Sequence, residues 1–403
     1  MKTDPVIYHR GYYRAANRLR GARYTVLAAF VLFTLLLFFL FRQDMTLNHF
    51  RYLLRNLDFS SNLTATSGDT MYYSGEADSE FGFVDGGLAC VTPTRVFVTD
   101  RASGTTFSHY HGYTEPRAVF SEKYMAVYDR RGSSLSLYNA FAHLETLTFE
   151  GTVLAAALSD DGELAVAVSE KGQYYSTVYV YSPSLKIENK LSKYKYVTDL
   201  ALSRNGKQLA VASLCPDGVG GLGSELLLMT VGEKKATLTE SFSAESIVTV
   251  GFTDEDALAA VTDKAYRLYG KKGDLLVKTD LEERPDRVYL SGSSLLTLTG
   301  GADSRFASAR VYSDRGESLF SLPSVSYRLK SVVATKEGWY LLASDGLTFL
   351  EEETGKRRLL VPTEERFGFL LEKGAFVYDG ETLYYATDSS AKALKDLFVG
   401  EEN

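Results

Sequence analysis

Cysteine is almost missing from this chain: its 403 residues contain two, Cys90 and Cys215. That excludes a small exported scaffold stapled by disulfides, since such frameworks need several paired cysteines. Histidine is nearly as scarce, at five residues. Only His109 and His111 stand close enough to set two imidazoles on one strand face, with Glu115 nearby, and two ligands with one further candidate fall short of a zinc centre. An exposed outer strand is expected there, and no metal. The chain has no GxSxG nucleophile elbow. Gly218, Gly220 and Gly223 match the GxGxxG spacing but lead into Ser224–Thr230, another strand, rather than into the helix whose N-terminus would hold a pyrophosphate. Thr354-Gly355-Lys356 fails as a phosphate loop, with Leu350 where the first glycine belongs and Arg357 where Ser or Thr belongs. Asp160-Asp161-Gly162 is acidic but lacks the rest of a calcium loop. No catalytic residue and no cofactor follows from these motifs.

Basic charge is also lacking beyond the N-terminus. Residues 1–42 carry seven Lys and Arg against one acid, so with −7 overall the remainder stands at −13. A domain that acidic is not built to hold nucleic acid through bulk charge.

What the chain has in quantity is hairpins. One phrase reads strand, tight turn, strand, as in Ala155–Val168, Asp199–Ala212, Thr249–Val261 and Ser331–Ala343. The other alternates into a Gly-containing turn and out again, as in Arg95–Phe107, Ala265–Val277, Ala309–Phe320 and Leu347–Leu359. β-Branched and aromatic residues suit a half-buried pleated surface, and Gly accepts positive φ at the turn. The pair recurs every ~35–50 residues, the period of propeller blades, and one unit cannot bury its apolar faces alone. The expected fold is an all-β propeller of four-stranded antiparallel blades, eight favoured and seven the alternative. First strands are expected near Phe81, Pro116, Thr152, Val197, Ile247, Asp286, Lys330 and Phe367. The last unit shows three strands, through Leu383–Ala386, and Thr70–Ser74 would supply the fourth, closing the ring and removing a sheet edge. Cys90 and Cys215 fall in second strands of distant units and read as small buried hydrophobes.

The N-terminal region is of different material. Tyr24–Phe41 holds no charge, and ~18 residues at ~1.5 Å each nearly match a ~30 Å hydrocarbon core. The run is longer than a usual signal core, and no small-x-small cleavage site follows it, so an uncleaved anchor is expected. The basic flank before it should remain in the cytoplasm and the repeats should lie outside. Residues 1–23 then form a basic tail, 24–41 the transmembrane helix, 42–69 an amphipathic helix and linker, 70–388 the propeller and 389–403 a short helix with an acidic tail. Within 42–69, Leu47, Phe50, Leu53, Leu54 and Leu57 share a helical face, which either covers the underside of the domain or pairs with a second copy.

In a four-stranded blade the two tight turns face one side of the ring. The connections between strands two and three, and between blades, face the other. These variable loops nominate Arg130, Arg131, Tyr174, Tyr175, Tyr196, Asp303, Arg305 and Tyr327 as a recognition surface, because tyrosine and arginine dominate such surfaces.

Phe349–Leu360 resembles the turn of quinoprotein-like repeats, and Ser159–Val168 and Ser203–Ala212 resemble the strand-turn-strand of WD40-like bacterial propellers. The layout of tail, span, short helix and repeats resembles the membrane-anchored bacterial family catalogued as domain of unknown function 5711. That resemblance implies no activity. Quinoprotein repeats place Trp after the turn, whereas the one Trp here, Trp339, lies in another strand. Two functions follow: a non-catalytic binding or scaffolding module on the outer face of the cytoplasmic membrane for an envelope protein, peptide or glycan, or a hydrolase or lyase acting at the central channel.

Overall fold

Runs such as LAVAV in Leu164–Ser169 are apolar at every position rather than at alternate ones, which suits a strand covered on both faces. The structure, a computed structural model, describes residues 9–40, 79–85, 87–100, 104–170, 175–216, 221–290, 294–299, 307–313, 315–325, 329–335, 338–343, 346–351, 354, 356–362, 376–378, 383–386 and 391–394. The chain divides into two compact units, Met1–Ser60 and Ser61–Asn403.

The first unit contains helix α1, His9–Leu40. Its apolar side chains are open, Tyr24, Leu27, Phe30 and Phe33 each being more than half exposed. Among the described residues no helix is long and apolar enough to cross a membrane. The span expected at 24–41 runs past them, since the side chains of 35–40 and all of residue 41 lie outside. The helix expected within 42–69 and the closing strand at 70–74 lie outside them too.

The second unit consists of antiparallel sheets in strict chain order: β1–β4 (80–110), β5–β8 (116–148), β9–β12 (153–194), β13–β16 (196–242), β17–β20 (247–280), β21–β24 (287–325) and β25–β28 (329–362) have four strands each, and β29–β31 (376–394) has three. First strands begin at Glu80, Pro116, Val153, Tyr196, Ile247, Arg287 and Leu329, each within one residue of the sequence expectation. Phe367 is not among the described residues. One element differs. Ala391–Leu394, expected in a short helix, is strand β31, paired Leu383↔Leu394 through Ala386↔Ala391 with β30, Leu383–Ala386. Helix-forming residues yield there because β30 needs a partner on its second edge, and propensity is a weak prior beside a ladder of hydrogen bonds.

Successive first strands lie beside one another, β1 on β5, β5 on β9, and onward to β21 on β25. Along this series each sheet therefore faces the next, and the core is a series of seams. Val178, Val180, Leu209 and Val211 fill the third–fourth seam, Leu226, Leu228, Leu258 and Ala260 the fourth–fifth, and Leu296, Val311, Trp339 and Leu341 the sixth–seventh. Middle strands are buried on both faces, while outermost strands such as β16, Ala236–Phe242, alternate between exposed and half-buried. Cys90 and Cys215 are free and buried, in β2 (Gly87–Val91) and β14 (Gln208–Pro216).

The tight turns do more than reverse the chain. Gly162 and Gly206 take φ of +98° and +65°, which glycine adopts without cost. Each closes on a serine three residues earlier, Gly162 N–H to Ser159 O at 3.2 Å and Gly206 N–H to Ser203 O at 2.8 Å. The turns also bond to one another. Asp85 N–H donates to Glu122 O, Glu122 N–H to the Asp160 carboxylate and Asp160 N–H to Arg204 O, while the Arg204 guanidinium spans Asp160 and Asp254. This belt crosses five consecutive sheets on the tight-turn side.

Candidate functional site

The opposite side collects the ends of second strands and the starts of first and third strands, because antiparallel strands alternate direction. Arg130 and Arg131 follow β6, Tyr124–Asp129. Both are exposed and both close on Glu115, Arg130 Nη1 at 3.3 Å from Oε1 and Arg131 Nε at 3.1 Å from Oε2. Asp129 anchors the same corner by accepting the Thr114 and Glu115 N–H groups. Tyr175 is 48% exposed just before β11, Ser176–Tyr181, and its carbonyl accepts Glu170 N–H. Tyr196, 39% exposed, opens β13, Tyr196–Leu202, opposite Leu214. Tyr174, Asp303, Arg305 and Tyr327 lie outside the described residues.

These residues do not form one cluster. Arg130 and Arg131 belong to the second sheet, and Tyr175 and Tyr196 to the third and fourth. Around the latter pair the structure adds residues that the sequence reading passed over. Leu222, 65% exposed, opens β15, Leu222–Thr230, and Val248, 40% exposed, lies in β17, Ile247–Phe252. Within the glycine-rich segment 215–224, the described residues Cys215, Pro216 and Leu222–Ser224 are strand: Leu214↔Ser224, Cys215↔Gly223 and Pro216↔Leu222 extend the β14–β15 hairpin. At nine residues each, these are longer than the second and third strands of the sheets on either side.

The same sheets carry charges that are buried or half-buried. Lys195 bridges to Glu225, whose side chain is 10% exposed and which also accepts from Ser241. Arg267 in β19, Ala265–Tyr269, is 6% exposed, donates to Glu245 at 3.0 Å and covers the Phe242 ring at 4.6 Å. Charged residues inside otherwise apolar strands, Glu225 in SELLLMT and Arg267 in AYRLY, were the available signal. A lone charge in a doubly covered strand must be paired.

The inner strands carry carboxylates, but these are engaged. Asp199 accepts the Val250 N–H and Thr249 O–H of the next first strand at 3.0 Å each, and its own neighbour Leu200 N–H at 2.9 Å. Burial pushes its pKa above the usual carboxylate value although those three donors pull it down. Glu80 does the same between the first and second sheets, holding Ala118 N–H at 2.7 Å and the Arg117 guanidinium at 2.9 Å. Both staple adjacent first strands together.

His109 and His111 do not act as a pair. His111 Nδ1 accepts Tyr113 N–H and its Nε2 donates to Thr92 O, so both nitrogens are occupied by backbone, and Glu115 is held by the two arginines. Among the described residues no group of three His, Cys, Asp or Glu could hold a metal ion.

A family model described as "Family of unknown function (DUF5711)" matches residues 66–345. No curated protein matches. Among solved structures, BamB from Moraxella catarrhalis superposes with a TM-score of 0.53 at 11% identity, covering 81% of this chain and 98% of its own. The β-propeller domain of Myceliophteria thermophila Cps50 (Swd1) gives a TM-score of 0.44 at 14% identity, over 67% of this chain and 98% of its own. The all-β fold of seven four-stranded antiparallel sheets thus resembles that of β-propellers such as BamB.

Proposed function

The chain belongs to the DUF5711 family, and for it we propose a non-catalytic binding or scaffolding role: an eight-bladed propeller tethered to the cytoplasmic membrane, held outside it, presenting its variable-loop side to an envelope protein, peptide or glycan. The observation that carries this reading is the contrast between the two sides of the second unit. The tight-turn side is consumed by bonds between neighbouring turns. The other side leaves Tyr175, Tyr196, Leu222 and Val248 exposed over three consecutive sheets, two of which also carry the Lys195–Glu225 and Arg267–Glu245 ion pairs. Rigid aromatic and apolar anchors with polar surroundings are the anatomy of recognition surfaces. The inner-strand carboxylates, by contrast, are spent on stapling strands. The tether rests on the uncharged run 24–41 behind a basic tail, and on the open apolar side chains of α1.

In-cell photocrosslinking from positions 131, 175, 196 and 222 tests the face, with Asp161 and Lys207 on the tight turns as controls. Discrete adducts are expected from the first set. Adducts confined to Asp161 and Lys207 would place recognition on the other side.

A further inference from the structure

Of the five histidines, His9 and His49 belong to the first unit, and all three in the second unit, His109, His111 and His143, gather where the first sheet meets the second. This place recurs around the unit. At several seams the outermost strand of one sheet touches the turn between strands three and four of the next. At the third–fourth seam Asn189, on β12 (Ile187–Tyr194), donates from Nδ2 to Glu233 O at 2.7 Å and accepts Gly232 N–H at 2.5 Å. At the fourth–fifth seam Leu238 abuts Gly273. At the fifth–sixth, Thr279 on β20 (Leu275–Asp280) donates to Gly316 O at 2.7 Å. None of these three side chains titrates.

The first seam is made of groups that do. His109, near the end of β4 (Gly104–Tyr110), lies parallel to His143, the first residue of β8 (His143–Thr148), with ring centroids 4.4 Å apart and planes 2° apart. His109 Nδ1 shares a hydrogen bond of 3.1 Å with the hydroxyl of Tyr138, on β7 (Ser134–Asn139). His143 Nε2 shares one of 2.8 Å with Thr146, which continues through Ser136 to Tyr113. Two neutral imidazoles stack without penalty. Two imidazoliums at that separation repel, and an imidazolium nitrogen has no lone pair with which to accept.

We propose that the joint between the first two sheets is a pH-operated latch, closed while His109 and His143 are neutral and released when they take up protons. The surroundings favour the neutral state. Facing the pair are Phe107 on β4, Tyr138 and Ser136 on β7, and Glu145 and Thr146 on β8, with His111, Tyr113 and Asp129 at the inner end. Glu145 draws a proton towards His143 and Asp129 towards His111, but burial is the largest influence on all three imidazoles and holds each below the ordinary 6.5. A depressed histidine stabilises the fold fully above 6.5, where folded and unfolded chains are both neutral. That contribution is lost as pH falls through the lowered values of the folded state. The latch is independent of which partner the ring takes.

Hydrogen exchange of the full, detergent-solubilised chain at about pH 7.5 and pH 5.5, corrected for intrinsic rates, decides the matter. Exchange in 104–110 and 143–148 should accelerate roughly tenfold or more on acidification, while 187–194 and 275–280, at the Asn189 and Thr279 seams, should not. Equal acceleration at all three seams, or none at the first, overturns the proposal. In the double variant His109→Asn, His143→Gln the selective acid response should vanish, and its persistence would also overturn it. Should that variant not fold, the comparison of seams within the wild type remains decisive.

Discussion

A single charged residue in a strand covered on both sides shows how strongly context sets its value. Arg267 and Glu245 could not each be buried alone, because a charge removed from water without a partner costs several kcal/mol. Together, with Thr262 donating to Glu245 and Phe242 under the guanidinium, they are satisfied. Arg267→Ala strands the partly buried Glu245 and removes the packing on Phe242. It should cost about 3–5 kcal/mol in urea denaturation, far more than an exposed pair would. The residues nominated from sequence were legible as types, since exposed tyrosine and arginine stand out in loops. Their grouping was not, because it depends on which sheets lie side by side: Tyr175, Tyr196 and Val248, 21 to 73 positions apart in the chain, fall on three consecutive sheets.

At the scale of elements, hairpins were the most legible feature. Strand alternation and turn glycines are local, and seven of the first strands begin within a residue of their expected starts. Two elements escaped for the same reason. Segment 215–224 reads as a glycine-rich loop and 391–394 as a helix, but each finds a strand partner, Leu222–Ser224 with Leu214–Pro216 and Ala391–Leu394 with Leu383–Ala386. Pairing with a neighbour is not encoded within the segment that pairs. The turn belt calls for a weighing of magnitudes. Arg204 bridges Asp160 and Asp254 while 69% exposed, so Arg204→Ala should cost less than ~1 kcal/mol by thermal or urea unfolding. The backbone bond from Asp160 N–H to Arg204 O survives that change. A loss of several kcal/mol would mean that the side chain, rather than the backbone, holds the belt.

For the molecule as a whole, the proposed tether would set location, and the sheets set the presented surface. If residues 24–41 anchor the chain, it should stay with membranes through an alkaline carbonate wash. Placing two lysines within that run, at Leu35 and Phe39, should release it, because each charge at a bilayer centre costs ~2.5–3.5 kcal/mol on insertion scales. Protease added to intact spheroplasts should digest the repeats while the basic tail survives. A protected repeat region would reverse the proposed orientation.

The sequence by itself determined the repeating all-β architecture, the order and starts of the sheets, the dearth of catalytic motifs and the distinct N-terminal region. These follow from periodicity and composition, which are properties of neighbouring residues. Tertiary structure alone decided that the acidic turns interlock into a belt, that Asp199 and Glu80 staple first strands, and that His109 meets His143 instead of His111. Each of these contacts joins two sheets that are separate in the chain, and what lies across a seam depends on how the sheets are stacked.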